Sequence, residues 1–68
     1  MITHKKKYGV YHWDTFDNET ILIEELAFFN DAKVFVNEKY AGRIGPKGAD
    51  RVDIVDNHGT VVASYSVG

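Results

Sequence analysis

Three histidines, ten carboxylates and one glycine-rich basic loop are the places in this chain where chemistry could reside. His12 and Asp14 stand two apart on an extended segment, so their side chains share a face, while Trp13 between them points the other way. They make a two-ligand fragment, whereas zinc generally takes three or four protein ligands. His58 with Asp56 sits at a turn, where such residues serve backbone geometry. His4 belongs to a basic lead-in and is expected to be solvated. Glu24 and Glu25 are neighbours and face apart on a strand, and Asp53 and Asp56 have opposite parity, so neither pair converges for acid–base work. The chain has no cysteine, and Ser64 and Ser66 lie mid-strand with no glycine elbow. The expectation is a protein with no catalytic residue, no metal and no cofactor.

The loop Gly42-Arg43-Ile44-Gly45-Pro46-Lys47-Gly48 invites comparison with phosphate-cradling loops. No Gly-Lys-Ser/Thr follows, and no helix begins there, so it reads as a connection between elements. Basic residues interleaved with aromatics are the argument for nucleic acid. Lys5, Lys6 and Lys7 run into Tyr8, Tyr11 and Trp13, and Arg43, Lys47 and Arg51 follow later. Against it, Asp14, Asp17, Glu19, Glu24 and Glu25 place five negative charges directly after those rings. The net charge of −2 therefore hides a basic start and an acidic segment over 14–25.

Positioning these residues falls to a few short elements. Arg51–Asp56 and Thr60–Val67 are β-rich and flank Asn57-His58-Gly59, which reads as a hairpin. Val61, Ala63, Tyr65 and Val67 alternate as a core set. A two-residue turn pairs Ile54 with Ala63 and Val52 with Tyr65 on that same face, so an even-numbered loop is expected. Residues 8–16 read as a first strand with Tyr11 and Trp13 on one side and Tyr8, Val10 and His12 on the other. Rings on both sides suit a central strand. Asp17-Asn18 is a turn, and Thr20–Leu26 is the returning strand.

In the middle, Ala32, Phe35, Val36 and Tyr40 fall at helical spacing, with Asn30 or Asp31 as the cap and Gly42 beyond the end. A rival reading makes 20–30 the helix and 34–44 a hairpin, but Asn37-Glu38-Lys39 lacks the glycine that a tight hairpin favours. The predicted fold is α+β: a ββαββ chain in which one helix lies on one face of a four-stranded, antiparallel-rich sheet. Residues 1–7 are expected to be a mobile basic tail and 8–68 the single domain. This order, with an aromatic first strand and the closing Asp53-x-x-Asp56-Asn57-His58-Gly59-x-Val61 hairpin, resembles the small strand–strand–helix–strand–strand domains of unknown function from bacteria and phages. The resemblance implies a fold and brings no catalytic residues.

Sixty-eight residues with 44% hydrophobic content make one core, which in a domain of this size contributes about 3–5 kcal/mol net. Self-association is one way to add buried surface. No apolar run reaches the roughly 20 residues that span a bilayer, and the start lacks the apolar stretch of a secretory signal, so a cytoplasmic location is expected. A chain this small has little room for a small-molecule pocket, and no such substrate is expected. One helix of eleven residues is ~16 Å long, too short to cover four strands. Surface is therefore left over, and the expected function is protein–protein interaction on the uncovered sheet face or edge. Tyr8 or Tyr11, Trp13, Val55 and Val62 are the candidate anchors. The partner would be another protein or a second copy, as for a phage or mobile-element accessory or inhibitor protein. Nucleic acid binding through Lys5–Lys7, Arg43, Lys47 and Arg51 is the alternative.

Overall fold

Alternating aromatic and β-branched residues, broken by turn chemistry at 15–18 and 57–59, divide the chain into five elements. They are β1 (Tyr8–Asp14), β2 (Glu19–Leu26), α1 (Phe29–Lys39), β3 (Asp50–Asp56) and β4 (Val61–Val67) in a computed structural model that describes residues 4–68. All pairings are antiparallel, and the strand order is β2-β1-β3-β4. The aromatic first strand is central, as rings on both of its sides require. The chain is an α+β ββαββ domain with an open sheet; the reading of 20–30 as a helix is excluded.

The helix lies over β1, β2 and β3. Its Ala32, Val36 and Tyr40 meet Val10, Val52, Ile54 and Val67 in a fully buried core. The Cα extents of 29 × 24 × 15 Å fit two layers, with the helix on one face of the sheet. The helix start differs from expectation. Phe28 is the N-cap and makes no side-chain cap hydrogen bond, while Asn30 and Asp31 lie inside the first turn. Asp31 there still meets the positive end of the helix dipole. Packing of Phe29 against Tyr8 sets the boundary in place of a cap (ring centroids 5.7 Å apart).

The closing hairpin has the predicted pairs, Ile54 with Ala63 and Val52 with Tyr65, but not the predicted loop. Asp56 N–H donates to the Thr60 carbonyl (2.9 Å), which encloses three residues, with Gly59 at φ 85°. An odd loop alone would turn the strand over. The parity is restored by a bulge: Val55 pairs with Val61, Ile54 pairs with Ala63, and Val62 is the extra residue. Val61, expected in the core, consequently stands opposite Val55 and is 52% exposed.

A second bulge lies in β2, where Val10 pairs with Glu24 but Tyr11 pairs with Leu22. The unpaired Ile23 and the later Leu26, of opposite parity, both pack on the core for this reason.

Candidate functional site

Two surfaces gather the residues singled out above: the seam between helix and sheet, and the open sheet face. In the seam, His12 projects from β1 toward the end of α1. Its Nδ1 lies 2.6 Å from the Tyr40 hydroxyl and its Nε2 lies 2.9 Å from Asp50 Oδ2. Thr15 completes the group by donating its N–H (3.2 Å) and its hydroxyl (3.0 Å) to Asp50 Oδ1. These bonds hold the Asp50 carboxyl below its ordinary value of 3.8, the His12 bond first and the Thr15 bonds next. An ionised carboxylate only accepts, so Nε2 carries the proton and a neutral His12 accepts at Nδ1 from Tyr40. Burial pushes the Tyr40 hydroxyl above its ordinary value of 10.0.

A hydroxyl, an imidazole and a carboxylate in line have the connectivity of a proton relay. Here the hydroxyl belongs to a residue only 2% exposed, and Tyr40 and His12 line one wall of a hollow of about 310 Å³ beside Asp14, Ile21 and Lys39. What the line does is fasten the end of the helix to β1 and to the start of β3. Asp14, which shares a face with His12, accepts from the Phe16 and Asp17 backbone N–H groups in the β1–β2 turn. Among the described residues, no cluster of three or more His, Cys, Asp and Glu side chains is arranged to hold a metal ion. Asp50 was missed in the sequence because it lies 38 residues from His12; only the β1–β3 register brings the two together.

The open face reads as three rows across the sheet. The first runs Glu25, Gly9, Val55 and Val61; the second Leu22, Tyr11, Asp53 and Ser64; the third Thr20, Trp13, Arg51 and Ser66. Val55 with the exposed Val61 and Val62 makes an apolar corner, and Trp13 lies toward the opposite one. The polar groups between them satisfy one another. Arg51 lies over the Trp13 ring (4.9 Å to the centroid) and its Nε donates to Asp53 (3.1 Å). Asp53 also accepts from the Ser64 hydroxyl (2.7 Å). Of the two alternatives on β1, Tyr11 takes this face, while Tyr8 packs on the helix side against Phe29 and is not part of it.

The basic lead-in has an unexpected place. His4 is 7% exposed rather than solvated; its ring lies over Gly9 and its Nδ1 is 2.8 Å from the Tyr11 hydroxyl. The N–H groups of Lys5 and Lys6 both donate to Glu25 Oε1, which holds the Glu25 carboxyl below its ordinary 4.5. Nothing local in the sequence signals this; it depends on Gly9 having no side chain in His4's way. Of the expected tail, residues 1–3 lie outside the described residues.

The six cations proposed for nucleic acid do not form one patch. Lys5, Lys6 and Lys7 lie by the Glu25 end of the sheet, and Arg51 is at the opposite end beside Trp13. Arg43 and Lys47 line a shallow 480 Å³ hollow in the 42–48 loop, where Arg43 Nε donates to the Gly68 carbonyl (2.7 Å). No protein-family model matches the chain, and no curated protein or solved structure matches it.

Proposed function

We propose that this chain is a small non-catalytic interaction domain that takes a protein partner, foreign or a second copy, on the open face of its sheet. Trp13 and the Val55, Val61 and Val62 corner are the anchors, and Tyr11 is held at their margin by His4. The observation that carries the reading is the exposed Val61 and Val62 beside Val55, on the face opposite the helix. Large rings and aliphatic groups around a polar centre are the composition of protein interfaces. Charge supports the same choice. Arg51 and Asp53 neutralise each other at the centre of this face, whereas a phosphate backbone needs several unpaired cations along one track.

The reading is tested by recovering the tagged chain from an extract of its source cells, with and without nuclease. A protein partner stays bound after nuclease treatment. Loss of the complex on nuclease treatment, together with salt-sensitive quenching of Trp13 fluorescence by oligonucleotides, would replace this reading with the nucleic-acid one.

A further inference from the structure

The two edges of the sheet are treated differently. Along β4, the outer edge is closed near its end by the loop: Ile44 bridges to Val67, and Gly45 N–H donates to the Ser66 carbonyl (3.0 Å). Gly68 N–H then donates to the Arg43 carbonyl (2.8 Å). Strand β2 pairs with β1 alone, so among the described residues its outer edge has no backbone partner. At one end the Glu25 N–H donates to the Glu24 carboxylate (3.2 Å), which leaves Glu19–Ile23 as the open run. Five residues span about 16 Å at ~3.3 Å each, and Ile21 at their centre is 49% exposed.

Edge strands are commonly guarded by lysines or prolines. This one has neither within it, and its bulge at Ile23 lies at the end of the run. Asp17, Glu19, Glu24 and Glu25 surround it, with Lys5 and Lys6 at the Glu25 end. Lys39 and Arg43 lie on the helix side of Ile21 and Ile23. We infer that the β2 edge is a strand-addition site for a basic extended peptide segment, with backbone pairing along Glu19–Ile23, an apolar residue against Ile21 and cations toward Glu19 and Glu24. Backbone bonds supply affinity in such an addition, and side-chain charge selects the partner. A second β2 is the poorer occupant, because antiparallel pairing through Ile21 and Leu22 sets Glu19 against Glu24, and like charges directly opposite are destabilising. This inference does not depend on the open face, which is a separate surface.

The test is a titration of the isotope-labelled full chain with a capped peptide of about nine residues, long enough for β2 at ~3.3 Å each, that alternates lysine with threonine and valine. Amide exchange over Glu19–Ile23 is expected to slow by about tenfold or more on binding. The double variant Glu19→Lys, Glu24→Lys should lose about tenfold in affinity while keeping its circular dichroism, and Val62→Lys should bind as the parent does. Absence of binding at low salt, equal affinity after charge reversal, or protection centred on Trp13 and Val55 would overturn the proposal. So would a β2-mediated dimer in sedimentation. Absence of binding, equal affinity after charge reversal or a β2-mediated dimer would leave the reading of the open face untouched, and Val62→Lys tests that reading by itself.

Discussion

At the scale of single residues, His12 is the part of the chain where an expectation of idleness gives way to a defined task. In its neutral form it accepts from Tyr40 and donates to Asp50, so one ring ties three elements. Tyr40→Phe removes the donor and leaves Nδ1 in the seam unpartnered, which is expected to cost about 1–2 kcal/mol. For a domain this small that lowers Tm by about 5 °C or more, readable by thermal circular dichroism. The carboxylates give a pH dependence of fixed sign. Asp50, Asp56 and Glu25 are all held below their ordinary values, by hydrogen bonds led by those from His12, Thr60 and Lys5 respectively. Groups whose acidity rises on folding stabilise the fold above their ordinary values and cease to do so as the pH falls through the lowered ones. Tm is therefore expected to be level above 4.5 and to fall once the pH passes 3.8. Asp50→Asn should make that fall shallower, and an unchanged slope would deny Asp50 its part.

At the scale of elements, the strands, the helix and the pairings Ile54–Ala63 and Val52–Tyr65 were legible because apolar periodicity and turn residues act locally. The bulges were not. Val62 and Ile23 are ordinary strand residues, and what makes each the extra one is the loop closure and core packing around it, which no short window contains. For the same reason the loop came out odd where an even one was expected, and Val61 moved to the open face. The seam was half legible. Tyr40 belongs to the apolar spacing of the helix, although the helix ends at Lys39 with Tyr40 as its C-cap and not after Ala41. Asp50 entered only through tertiary pairing. Deleting Val62 removes the extra residue and should leave Ile54 opposite Ala63 and Val52 opposite Tyr65 in a ladder without a bulge, so the near-ultraviolet dichroism is expected to persist; its loss would deny Val62 that place. Gly48 gives a second test of element docking. A Cβ there would lie 2.4 Å from the Val67 backbone, which cannot swing away. Gly48→Ala is expected to cost about 2–3 kcal/mol and to loosen the loop from β4, visible as faster exchange of the Gly45 amide.

For the whole molecule, one helix on a four-stranded sheet leaves one face and one edge without a second layer, and the two differ in chemistry. The face pairs an apolar corner with a charge-neutral centre, and the edge is acidic. Neither carries a clustered set of cations. The proposed interaction function rests on this division of surfaces. The most direct measurement compares complex recovery for Val62→Lys with that for Val34→Lys. The two valines are similarly exposed, 41% and 46%, but Val62 lies on the open face and Val34 on the helix. With both variants shown to be folded, the account predicts that Val62→Lys loses the partner and Val34→Lys keeps it. Retention by Val62→Lys together with loss by Val34→Lys would put the binding surface on the helix and contradict the account.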